Sequence, residues 1–376
     1  MRAVCQSRLK IYNTAGAVLT QHALNLFTTM KTTLARIFAL AALATTTLSD
    51  VRAWDYEGHR LINQLALDTL PANFPAFAKA PVARERIGFL AGEADRWRNT
   101  TDLALKHCNG PDHYFDFELL EPAKLDVAQL SQFRYEFAVQ LANGRAANPQ
   151  NFPAFDPLKD SDKTKALIGF LPWTIAEYQG KLKSAFSYLK EYELAGTPEE
   201  IANSRENIIY IMGVMGHFIG DATQPLHSTK HHHGWVGPNP KAYSTNYSIH
   251  SWIDGGYIQQ FGVSADKLRG KLRPAASVGG PNNAASANLF PTVVNFLQEQ
   301  FKQVEPLYEL EKAGKLSARR ELSQEGHDFI TGQMLRASQM LGDLWLTAWQ
   351  QAPPDMFLRS ALAKRKAAQE AGAVTK

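Results

Sequence analysis

Cysteine is almost missing from this chain of 376 residues, which holds only two. Cys5 lies in the N-terminal stretch, and Cys108 stands alone. The part of the chain beyond residue 53 therefore has no internal disulfide, and no second thiol stands at zinc-ligand spacing from Cys108. An unpaired thiol in a loop is the expectation for Cys108. Period-two alternation over five or more residues is hard to find, which argues against a sheet. No apolar run reaches the roughly 20 residues that a bilayer-crossing helix needs, so no stable membrane insertion is expected. Familiar catalytic glycine patterns are missing too. Gly180-Lys181, Gly270-Lys271 and Gly314-Lys315 are each followed by leucine, there is no Gly-x-Ser-x-Gly elbow, and no dinucleotide-binding glycine fingerprint follows a strand. Excess charge is also scarce. The formal net charge is +4, but Arg2, Arg8, Lys10, Lys31, Arg36 and Arg52 all precede Trp54, with Asp50 the only acid there. Any affinity for a polyanion must then come from local groups or bound metal, not from the overall field.

What is present is the composition of a globular protein, 45% hydrophobic and 20% charged. The first 53 residues have the pattern of an exported leader. Met30 opens a complete signal, with Lys31 and Arg36 as its basic start, a short apolar run from Ile37 to Leu43, and Val51-Arg52-Ala53 as a small-x-small cleavage site. Residues 1–29 are then an upstream extension, and cleavage after Ala53 makes Trp54 the new N-terminus. A secreted or periplasmic location follows as an expectation.

From residue 54 onward the periodicity predicts one helix after another. His59 to Leu70 carries Ile62, Leu65, Ala66 and Leu70 on one stripe, stopped by Pro71. Val82 to Trp97, Glu121 to Asn143 and Trp173 to Leu194 follow, with a Pro/Asn-rich loop at 147–157. Thr197-Pro198-Glu199-Glu200 is a capping box with proline at the first helical position, and it opens an apolar helix through Gly220. Ala287 to Glu305 and Ala318 to Gln350 complete the set. The expected fold is a single all-α domain over 54–352, with Pro353-Pro354 introducing a loose tail over 353–376.

Chemistry concentrates in histidine and aspartate. His217 and Asp221 are four apart on the capped helix and so share a face. Pro225 breaks that helix, and His227 follows at once. The same helical spacing recurs as His250 and Asp254. Neutral imidazole and carboxylate are the usual zinc ligands where thiolates are absent, although such pairs serve structural hydrogen-bond networks equally well. His59, Asp95 and His113 add further candidates.

These residues fall into motifs: Trp54-x4-His59, Ala94-Asp95-x2-Arg98, His113-Tyr114, His217-Phe218-Ile219-Gly220-Asp221-Ala222-x-Gln224-Pro225-Leu226-His227, and His250-x3-Asp254. In them the sequence resembles the zinc-dependent single-strand nuclease and 3′-nucleotidase family, the nuclease branch of a superfamily shared with zinc phospholipase C. The resemblance implies a mostly helical fold with three Zn2+ in a cleft. It implies that Asp95, His113, His217 and Asp221 hold the first ion. Trp54, through its free amine and carbonyl, joins His59 and a bridging Asp221 at the second, and His227, His250 and Asp254 hold the third. It further implies that Asp95 orients the attacking water, that Arg98 pairs with the phosphate, and that single-stranded DNA, RNA and nucleotides are the substrates of a monomeric enzyme. The products are then 5′-phosphates. Tyr114 either stacks on a base or packs in the core, and Asp116 hydrogen-bonds a base edge.

The chain departs from the family pattern in several places. His231-His232-His233-Gly234-Trp235-Val236-Gly237-Pro238-Asn239 replaces a Gly-Gly-Asn turn, the family's disulfides are absent, and there are extra residues near 121–165 and 265–320. The three consecutive histidines are expected to form a solvated loop. Two other readings remain open: a zinc phospholipase C with the same metal chemistry, and a non-catalytic periplasmic zinc-binding protein.

Overall fold

A computed structural model describes residues 54–152, 154–278, 288–317 and 321–374. The leader and its cleavage site lie outside the described residues. Helices dominate, and no strand occurs among the described residues, where only two isolated bridges, Phe115 with Gly169 and His232 with Gly234, break the pattern.

The longer helices, numbered in chain order, are α1 (Tyr56–Thr69), α2 (Pro81–Leu90), α3 (Glu93–Arg98), α4 (Leu103–Asn109), α5 (Arg134–Ala147), α6 (Leu171–Ala195), α7 (Pro198–Thr223), α8 (Phe290–Phe301), α9 (Val304–Lys312), α10 (Gln324–Gln351) and α11 (Met356–Val374). At the centre lies α7, packed against α6, α10, α2 and α1. Its start follows from local chemistry. The Thr197 hydroxyl accepts from the Glu200 N–H, the Glu200 carboxylate accepts from the Thr197 N–H, and Pro198 fills a position whose N–H would have no partner. Its second half is buried on every side, from Met212 through Thr223, as a helix must be when neighbours surround it. Glycines let those neighbours come close. A Cβ on Gly216 would stand 1.6 Å from Asn63 Oδ1 on α1, and one on Gly220 would stand 2.5 Å from His59 Nδ1.

Several helix expectations need correction. The stretch 82–97 is two helices, not one. α2 ends at Leu90, and α3 begins at Glu93 after the Ala91-Gly92 break. The stretch 121–143 is helical only from Arg134. Before it, Lys124 adopts a left-handed φ of 57°, and Asp126 caps a short 3-10 turn by accepting from the Ala128 N–H. The helix expected from Trp173 starts two residues earlier, at Leu171, with Pro172 in its first turn. The 287–305 stretch is α8 followed by a separate α9, and its first residue lies outside the described residues, as do 318–320.

The tail is not loose. α11 buries Leu362 and is tied back by paired charges. Arg359 grips the buried Glu191 of α6 with two bonds of 2.7 and 2.8 Å, and Arg365 grips Glu200 with bonds of 2.7 and 2.9 Å.

Candidate metal centre

Every polar candidate is carried to one place by an end or a break of a helix. His59 sits in the first turns of α1, Asp95 and Arg98 on α3, and His217 and Asp221 in the last turns of α7. His113 closes a 3-10 turn over Gly110–His113, and His227 closes another over Pro225–His227. His250 leaves a short helical turn, and Asp254 falls in a π-helical turn, Trp252–Gly256. Such wide turns recur at functional sites because they re-aim a side chain without ending the helix.

The donor atoms converge in three buried groups: His59, His217 and Asp221; Asp95, His113 and His217; and His227, His250 and Asp254. Asp221 stands between the first two. Its Oδ1 lies 3.5 Å from His59 Nε2, while its Oδ2 lies 2.9 Å from His113 Nδ1 and 3.3 Å from His217 Nε2. Asp95 Oδ1 lies 3.8 Å from His217 Nε2. In the third group, His250 Nε2 is 3.0 Å from His227 Nε2 and 2.9 Å from Asp254 Oδ2.

These spacings suit metal ions. A tetrahedral ion with bonds of about 2.0–2.1 Å holds its donors roughly 3.3 Å apart, which is the middle of the range here. Two imidazole nitrogens 3.0 Å apart otherwise need a proton between them, and His217 faces His113 at that distance, as His250 faces His227. The far sides of two rings set the tautomer. His217 Nδ1–H donates to the Ala91 carbonyl at 2.7 Å, a group the break after α2 leaves available. His227 Nδ1–H donates to the His113 carbonyl at 2.5 Å. With Nδ1 protonated, each Nε2 lone pair points inward, as a metal-binding imidazole requires.

Electrostatics agree. Burial, then Arg98 or a neighbouring imidazole, pushes the His113 and His227 pKa values well below the usual range, and His250 falls to about 3, so all three are neutral at pH 7. For His217 burial also opposes charge, but Asp221 and Asp95 outweigh it and raise its pKa. Burial raises Asp221 and Asp254. Carboxylates this far from water want a compensating cation, and Arg98 is the protein's own. It donates from Nε to Asp95 Oδ1 at 2.6 Å. The carboxylates around it outweigh burial and raise its pKa.

Trp54 is fully buried, and its indole N–H donates to the Gly220 carbonyl at 2.9 Å, one residue before Asp221. The next residue, Asp55, donates its backbone N–H to the Asp254 carbonyl at 3.0 Å. Trp54 is thus anchored beside the backbone of Asp221, and its chain neighbour is tied to that of Asp254.

The centre opens on a cleft of about 560 Å³, whose walls include Arg98, His227, His250, Tyr114 and Asp116. Residues 114–116 are extended, so alternate side chains share a face. Tyr114 and Asp116 line the cleft while Phe115 enters the core. Phe115 donates its N–H to the His227 carbonyl and Asp116 to the Ile168 carbonyl. Gly169, at φ +100°, passes so near that a Cβ would meet the Tyr114 carbonyl oxygen at 1.9 Å. Burial, then the charge of Glu118, holds the Asp116 carboxyl protonated well above the usual range, and its Oδ1 has no hydrogen-bond partner.

The histidine triplet is not solvated. His231 is buried and stacks on Trp235 with centroids 3.9 Å apart, while His232 and His233 are half-buried in the cleft wall beside His250. Gln224 is a site residue that spacing alone did not single out. Its side-chain amide donates to Asp254 Oδ1, and its own oxygen accepts from the Leu226 N–H. Its place inside the His217–His227 motif was the available signal. No protein-family model and no curated protein matches the chain.

Proposed function

We propose that the protein is a zinc-dependent phosphodiesterase that hydrolyses single-stranded DNA and RNA to 5′-phosphate products, with 3′-nucleotidase activity. The observation that carries this reading is the set of eight buried imidazole and carboxylate side chains, spaced for three ions and opening on a cleft. A donor set of nitrogen and oxygen without sulfur suits zinc. Bound zinc would neutralise phosphate oxygens and lower the pKa of a water to about 7.

The chain's own groups do the rest. Asp221, Asp95, His113, His217 and His59 would hold two ions with Asp221 as the bridge, and Trp54 would supply its amine and carbonyl beside His59. His227, His250 and Asp254 would hold the third. Asp95 orients the attacking water by accepting its hydrogen bond. Arg98, braced by Asp95, presents fixed positive charge to the phosphate as negative charge builds on it. Tyr114 offers a ring face for an unstacked base, and the protonated Asp116 carboxyl can donate to a ring nitrogen or oxygen at its edge. Stacking of that kind demands a base free of its duplex, which favours single strands. No helix among the described residues is long and apolar enough to cross a membrane.

Purified protein incubated with single-stranded DNA, RNA, a 3′-nucleotide and phosphatidylcholine, with and without chelator, tests this. Chelator-sensitive release from the nucleic acids is expected. Release from lipid alone would install a phospholipase in its place, and turnover of nothing despite bound zinc would leave a zinc-binding protein.

A further inference from the structure

Away from the histidines and aspartates, the walls of the same cleft include Lys106 of α4 and Arg145, Phe152, Phe155 and Lys165. Arg145, near the end of α5, lays its guanidinium 3.9 Å from the centroid of the Phe152 ring. Neither Arg145 nor Lys165 forms an ion pair among the described residues. Lys106 reaches only Asp162, at 3.7 Å.

Lys165 is presented by a built turn. The buried Asp160 accepts at Oδ1 from the N–H groups of Thr164, at 3.0 Å, and Lys165, at 3.2 Å. His107 Nδ1–H donates to the Asp162 carbonyl at 2.8 Å and ties this turn to α4. Lys165 is exposed and pairs with no carboxylate among the described residues, so its charge is available to an anion that enters the cleft beside Arg98. Arg98 and the metal centre suffice for one phosphate, so further cations need further phosphates. The neighbouring aromatic rings fit the bases between them, since stacking platforms interleaved with cations are how single strands are tracked. Phe155, 38% exposed, leaves a ring face open.

We propose that Arg145, Lys165, Phe152 and Phe155 form a second phosphate-and-base subsite that selects a chain of nucleotides over a mononucleotide. The proposal rests on the nuclease reading above.

The test compares wild-type zinc-loaded protein with the double variant Arg145→Ala/Lys165→Ala and with the single variant Lys165→Glu. Both sites lie at the surface, and zinc content and melting temperature report any loss of fold. On a short single-stranded DNA, kcat/KM should fall about tenfold in the double variant, chiefly through KM. Its log–log salt dependence should flatten by about 1.4, which is about 0.7 for each lost phosphate contact. Turnover of a 3′-nucleotide should change less than twofold. Equal losses on both substrates, no loss on either, or a loss seen only on phosphatidylcholine vesicles would overturn the subsite. A wild-type protein that cuts neither nucleic acid nor nucleotide overturns the nuclease reading and the subsite with it. A wild-type protein that cuts both, beside variants that match it, removes the subsite alone.

Discussion

Arg98 is the residue whose two duties separate most cleanly. It braces Asp95 and it faces the cleft. Arg98→Ala should lower kcat by about 10²- to 10³-fold, as loss of a preorganised charge does, while zinc content by elemental analysis stays within a quarter of wild type. A variant that loses zinc and activity in parallel would make Arg98 a structural brace only. His231 allows a pH prediction away from the candidate metal ligands. Burial, then Lys230 and His232, lowers its pKa to about 4, and Glu118 Oε1 lies 3.9 Å from its Nε2. Its Nδ1 accepts from the Val236 N–H at 3.0 Å, which only the neutral ring can do. The folded pKa is below the unfolded value of about 6.5, so the unfolded chain binds the extra proton between those values. The His231 contribution is therefore complete above pH 6.5 and is lost as pH falls toward 4. His231→Asn should flatten the acid limb of the melting-temperature profile, and an unchanged limb would rule this out.

At the scale of elements, glycine substitutions should have opposite signs in two helices. Gly216→Ala drives a methyl into Asn63, whose amide is held by the Ile87 and Gly213 carbonyls at 2.9 and 3.0 Å. A loss of about 1–3 kcal/mol is expected from overpacking. Gly332 of α10 has nothing within 4 Å of a added Cβ, so Gly332→Ala should stabilise by up to about 1 kcal/mol through helix propensity alone. Urea titration of both variants checks the pair of signs. The same elements show what the sequence could and could not reveal. His217 and Asp221 were legible because a regular helix turns spacing four into a shared face. His250 and Asp254 were legible by the same spacing, although Asp254 falls in a π turn, whereas His113 and His227 reach the centre through 3-10 turns, which leave no periodic trace. The break at Ala91-Gly92 was hidden because the apolar stripe runs on across it. α11 was missed because charge anchors it, and its partner Glu191 is 168 residues away from Arg359. Over 121–133, a capping aspartate and a left-handed lysine overrode an amphipathic pattern that looked helical.

At the scale of the whole molecule, the centre is a concentration of unfavourable burial that cations would relieve. Each ion held tightly by the folded chain and not by the unfolded one adds about 4 kcal/mol at a thousandfold excess over its Kd. Exhaustive chelation should thus lower the melting temperature by roughly 5–10 °C or more, and zinc should restore it. A melting curve indifferent to chelator, from protein shown to contain zinc beforehand, would mean that the donors are a hydrogen-bond network after all.

The donors also come from far apart along the chain: His113 meets Asp221 across 108 residues, and Trp54 meets Gly220 across 166. Closing loops of that size is entropically slow, and little of the centre exists before α1, α7 and the 250–254 turn have docked. The groups built on His59, Asp95, His113, His217 and Asp221 exist only once those elements have docked, so a clipped fragment without α1 should lack the donor set that His59 completes.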